Sequence, residues 1–260
     1  MTANGTPIPD RQTFPAPCRP WGFWASTGFG LSAVVAWSAI QLLAAFLVMD
    51  WLRSGALPGA DAGALMSHAL TISVVTIVSM PAPILVVAFA ARRAGCTVTD
   101  YLALQWPKRT DLVIGILLVA VLLPVGDLTS WLTGRDLIPP AVVDTYRTAR
   151  GSGLLTLMLL AIALVIAAPL MEEILFRGFM LPGYARSPLG LAGAILLTSA
   201  GWAVMHIQYE WYYIGQIVVL GCVLGWLRWR SGSTILTIIL HAIVNAAALA
   251  QVAFVVERAN

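Results

Sequence analysis

Charge is what this sequence has least of. Only 10% of its 260 residues are Asp, Glu, Lys or Arg, against roughly 25% in an ordinary soluble domain. With 59% hydrophobic residues and a mean hydropathy of +0.85, the chain reads as an integral membrane protein. Its fifteen basic residues are scattered through short loops, so the formal charge of +3 is a topology signal and not a nucleic-acid surface. Cysteine is also sparse. Cys18, Cys96 and Cys222 stand at unrelated spacings with no CxxC, so neither a disulfide framework nor a cysteine metal site is expected.

Long apolar runs are abundant. A helix of about 20 apolar residues crosses the hydrocarbon core, and seven such runs are present, at about 22–50, 67–91, 111–133, 153–171, 189–206, 212–229 and 233–256. An eighth, shorter segment is expected within the first run or around 139–150. The expected fold class is therefore all-α, a polytopic transmembrane bundle of about seven or eight helices. Residues 1–20 are polar and carry five prolines, which reads as a flexible cytoplasmic tail and not as a cleaved leader. Residues 21–256 form one transmembrane domain. Pro81, Pro83 and Pro124 fall inside runs and predict kinks, while glycines such as Gly115, Gly221 and Gly225 predict close helix packing.

Basic residues mark the cytoplasmic side of short loops. Placing 92–110 inside also puts the tail and the loops after the fourth and sixth runs inside. Ten basic residues, Arg177 among them, then lie inside and five outside, which predicts a cytoplasmic N-terminus.

Ionisable groups at membrane depth are costly and functional by default. The candidates are Glu172, Glu173 and Arg177 in MEEILFRGF, which follows the fourth run, His206 at the end of the fifth, and His241 in the seventh, with the polar Asn245 beside it. Glu173 and Arg177 are four apart and share a helix face, acid first, as an ion pair requires. Glu172 points about 100° away, free to act as a reacting group. His241 and Asn245 likewise share one face.

A carboxylate, two imidazoles and a carboxamide on three apolar segments suit hydrolysis. Glu172 would deprotonate a water and return the proton to a leaving amine. Imidazole N–H groups and the Asn245 amide would donate to the oxyanion. The same Glu172, His206 and His241 are also a ligand set that zinc accepts, with a position open for water. The cofactor is thus either none or a single divalent metal such as zinc, and the sequence leaves both open.

Three motifs stand in order: EExxxR (Glu172, Glu173, Arg177), an aromatic-xxx-His (Trp202 to His206) and HxxxN (His241, Asn245). Over about residues 150–250 the chain resembles the CPBP family of CAAX proteases and bacteriocin-processing proteins, also called Abi. The resemblance implies a helical bundle around a buried polar cavity open to the cytoplasm. It implies Glu172 and His206 as the catalytic pair, His241 and Asn245 as oxyanion donors, and Glu173 with Arg177 as a supporting pair. The second motif often begins with Phe, and Trp202 stands there as a tolerated aromatic.

The implied function is an intramembrane endopeptidase, with a membrane-associated protein or peptide and the lipid bilayer as partners and no nucleic acid. A bacterial plasma membrane is the expected location. Two other readings remain: a non-proteolytic immunity or scaffold protein of the same fold, and a proton-coupled transporter. Other membrane protease types fit less well, because the sequence has no HExxH and no GxSxG-like serine with a paired histidine.

Overall fold

The computed structural model describes residues 19–258, so Cys18, Arg11 and most of the expected tail lie outside the described residues. Every regular element among them is helical. The chain runs through α1 (Phe23–Ser54), the short α2 (Ala62–Ser67), α3 (Ala69–Arg93), the single turn α4 (Val98–Tyr101), α5 (Arg109–Leu132), α6 (Pro140–Gly151), α7 (Leu154–Ala185), α8 (Gly190–Val204), α9 (Trp211–Ser231) and α10 (Thr234–Arg258). Six of these are long and apolar enough to cross a membrane. The fifth apolar run yields only the 15-residue α8. The protein is an integral membrane helical bundle.

Burial is distributed as a lipid solvent dictates. Large apolar side chains such as Phe46, Leu85, Phe89 and Val121 point outwards. The helix contacts are lined instead by small residues: Ala33, Ala69, Ala90, Ala91, Ser26 and Ser73 are all buried. Lipid tails are as apolar as leucine, so association depends on close backbone approach and interhelical hydrogen bonds more than on burying oil. α1 packs on both halves of α3, and α8 packs extensively on α9. α10 touches α5, α7 and α9 and is the hub of the site half.

Local chemistry sets the boundaries. α3 is interrupted at Met80, immediately before Pro81, where the proline ring withholds an N–H. Gly153, at φ 97°, separates α6 from α7, and Gly232, at φ 68°, ends α9 in the left-handed conformation that glycine adopts without strain. The turn into α10 is pinned by the loop after α4, since Ala103 O accepts from Thr234 N at 3.0 Å and Gln105 Nε2 donates to Gly232 O at 2.8 Å. α6 is the eighth short segment, amphipathic, with Val142, Val143 and Tyr146 against Val252 and Val256 of α10.

Three sequence expectations change here. The fourth run does not stop near residue 171; α7 continues to Ala185, because its charges are buried and paired and so do not end the helix. Arg177 and Arg228 are buried inside helices and cannot count as loop topology signals, which leaves eight basic residues against five. Cys96 is disulfide-bonded while Cys222 is free, against the expectation of no disulfide, since cysteine pairing depends on tertiary approach that sequence spacing does not report.

His68 joins α2 to α3. Its Nδ1 accepts from Leu70 N at 3.2 Å, so its other nitrogen carries the proton and reaches Ser152 Oγ, also at 3.2 Å. Burial pulls the His68 imidazole below its ordinary value of 6.5. Because the folded value is the lower one, its contribution is present above pH 6.5 and is lost as pH falls through the folded value. The thermal midpoint is expected to fall on acidification more in wild type than in His68→Asn, which keeps a capping acceptor but does not titrate. Equal pH dependence in the two proteins would refute this.

Candidate active site

The site is built around α7, whose hydrogen-bond ladder widens twice. π-helical turns occupy Ala163–Ala167 and Ile174–Met180, with Glu172 and Glu173 between them. Such turns are uncommon and recur at functional sites. Proline explains where each ends. After the first, Ala168 N–H reaches back five residues to Ala163 O. The next in that register would be Pro169 to Leu164 O, and Pro169 has no N–H to give. After the second, Leu181 N–H reaches Phe176 O and Pro182 follows.

Asn245 supplies the missing donor. Its Nδ2 donates to Leu164 O at 2.7 Å, tying α10 to α7 two turns before Glu172. The amide is therefore anchored by one of its two N–H groups. Among the described residues Asn245 makes no hydrogen bond to Glu172.

Glu173 and Arg177 are both fully buried and paired, with Arg177 Nη1 donating to Glu173 Oε1 at 2.9 Å. Arg177 Nη2 also donates to Gly221 O on α9 at 3.3 Å. Only glycine permits that approach: a Cβ at 221 would lie 2.8 Å from Ser199 Cβ and 3.1 Å from the guanidinium itself.

His241 stands between the two glutamates. Its Nδ1 lies 3.0 Å from Glu173 Oε1 and its Nε2 lies 3.9 Å from Glu172 Oε2. An ionised carboxylate only accepts, so the Nδ1 proton belongs to the Glu173 bond and Nε2 is the nitrogen that faces Glu172.

Glu172 is buried, with its Oε2 accepting from the indole N–H of Trp202 at 2.5 Å. His206 lies just beyond the end of α8, half-buried, its Nδ1 3.2 Å from Trp202 O. A carbonyl accepts, so this bond also uses the Nδ1 proton and leaves Nε2 bare. The His206 ring meets Trp202 edge-on at 5.5 Å and is stacked by Tyr209 at 6.0 Å.

The structure thus gathers Glu172, Glu173, Arg177, Trp202 and His241 in direct contact. His206 is attached through Trp202, and Asn245 through the α7 backbone. Residues 154–247 match the family model described as Type II CAAX prenyl endopeptidase Rce1-like. That segment is similar to a CAAX-protease domain. It begins with α7 and ends inside α10, so it contains every residue of the cluster. The family is one of proteases. No individual curated protein and no solved structure matches the chain.

A metal fits this site poorly. Among the described residues no three of His, Cys, Asp and Glu converge closely enough to hold an ion. Glu172 Oε2, the oxygen nearest His241, is already occupied by the Trp202 N–H. Sequence reading also missed two contributors. Trp202 stood there only as a motif aromatic, and its donor role depends on a rotamer. Pro169 was legible as a proline beside the motif, the one available signal for the widened turn that Asn245 fills.

Proposed function

We propose that the protein is an intramembrane endopeptidase that hydrolyses a peptide bond of a membrane-associated substrate with a water activated by Glu172. The observation that carries the reading is the buried Glu172 carboxylate, held at one oxygen by Trp202 and faced by His241 Nε2, inside a segment similar to a CAAX-protease domain.

The reaction divides among the residues as follows. Glu172 Oε1 takes a proton from water as the water oxygen attacks the substrate carbonyl carbon. His206, with its Nδ1 proton committed to Trp202 O, offers Nε2 as the acceptor that orients the water. The tetrahedral oxyanion receives the second N–H of Asn245 and the Nε2–H of His241. For that donation His241 must carry both protons, since Nδ1–H faces Glu173; Glu173 is already paired with Arg177, so the developing oxyanion balances the imidazolium. Collapse breaks the C–N bond as Glu172 passes its proton to the leaving amine. Arg177 neutralises Glu173 and orders the site.

The named family supports a prenylated peptide as the first probe. His206→Ala and His241→Ala are each expected to lower cleavage of a farnesylated peptide in proteoliposomes by at least about 10²-fold. Wild type is expected to keep its rate after exhaustive chelation. Unchanged cleavage by both variants would overturn the roles given, and a loss on chelation restored by zinc would overturn the metal-free form.

A further inference from the structure

Trp202 touches more of the site than any residue assigned a role above. It is 1% exposed. Its N–H donates to Glu172 Oε2 at 2.5 Å, the Arg177 guanidinium carbon lies 4.4 Å from its ring centre, and the His241 and His206 rings meet it edge-on at 5.1 and 5.5 Å. Packing alone would need the bulk of the indole. It would not need the nitrogen.

We propose that Trp202 is a positioning residue for Glu172, and that the Arg177 guanidinium against its indole face strengthens the N–H that holds the carboxylate. The inference rests on Glu172 being the water-activating group. The terminal torsion of a glutamate is broad and roughly two-fold, so a buried carboxylate without a fixed partner has no single orientation. One charge-assisted hydrogen bond to Oε2 removes that freedom and turns Oε1 to the water. A cation against the indole face draws electron density from the ring, which makes the N–H a better donor. Arg177 thereby acts on both glutamates, on Glu173 by direct pairing and on Glu172 through the indole. Phenylalanine would fill much of the same space but could not donate.

Two measurements test this, one independent of activity. The sequence has ten tryptophans, so 15N-tryptophan labelling gives a small set of indole N–H signals, and the Trp202 signal is the one absent in Trp202→Phe. It is expected downfield of the others in wild type and shifted upfield in Glu172→Gln. A signal unmoved by Glu172→Gln overturns the contact. For function, position 202 is replaced by benzothienylalanine, which has the indole shape without the N–H, and by 5-fluorotryptophan, which keeps it. Cleavage of the farnesylated peptide is expected to lose about 10–100-fold in kcat with KM unchanged in the first, since small misplacements of reacting groups cost on that order, and to stay near wild type in the second. If Glu172→Gln is inactive while the benzothienylalanine variant is fully active, this inference alone falls. If Glu172→Gln cleaves like wild type, the hydrolytic reading falls as well.

Discussion

Arg177→Ala is expected to destabilise the folded protein by about 3–5 kcal/mol, the usual cost of leaving a buried charge without its partner. Arg177 and Glu173 are both fully enclosed, so water cannot replace the guanidinium once it is removed. The substitution also strips the donor from Gly221 O and the cation from the Trp202 face. Such a loss is a large share of the roughly 5–15 kcal/mol that holds a typical fold. Replacing both members by apolar residues, Glu173→Leu with Arg177→Met, is expected to recover most of the stability, because no unpaired charge remains. It should not recover activity, because His241 would lose the carboxylate that holds its Nδ1 proton. Denaturant titration in detergent micelles checks both statements. An Arg177→Ala protein as stable as wild type would show that the pair is dispensable to the fold.

Glu172→Gln is expected to have the largest effect on activity, a loss of about 10²–10⁴-fold in kcat/KM, the range that general acid–base catalysis supplies. At most about 5.5 kcal/mol of transition-state stabilisation is then removed. Glutamine keeps the shape and its amide oxygen can still accept from the Trp202 N–H, though more weakly than the carboxylate because the bond is no longer charge-assisted, so the unfolding midpoint should move little. Glu172→Asp keeps the charge but draws it back by one methylene from the indole, and its activity is expected between the two. Kinetics on the farnesylated peptide, with unfolding midpoints measured alongside, separate these cases.

How far the sequence alone reaches follows from which physical constraint each feature obeys. The apolar runs were readable because the bilayer demands about 20 apolar residues per crossing, and all seven correspond to helices. The end of α7 was not, because the same charges that would stop a solvent-facing amphipathic stretch are here paired in the interior, a fact set by α9 and α10. For the same reason Arg177 read as a loop residue. The convergence of three motifs was visible from residue type and helical spacing. The Trp202 hydrogen bond, the tautomers of His206 and His241, and the Asn245 bond to Leu164 O were not, since each depends on a partner from another helix. Pro169 could have been read: a proline beside a polar motif in an apolar helix frees a carbonyl, and Asn245 takes it.

The central claim is that the buried cluster hydrolyses peptide bonds with a water activated by Glu172. Its most direct test is to present purified wild type and Glu172→Gln, in vesicles and matched for folded content, with one farnesylated peptide in 18O-water and to read the products by mass spectrometry. The expected result is two fragments from an internal cleavage in wild type, with one heavy oxygen on the new C-terminus, and intact peptide with Glu172→Gln. Equal product from both proteins, or intact peptide with both, would contradict it.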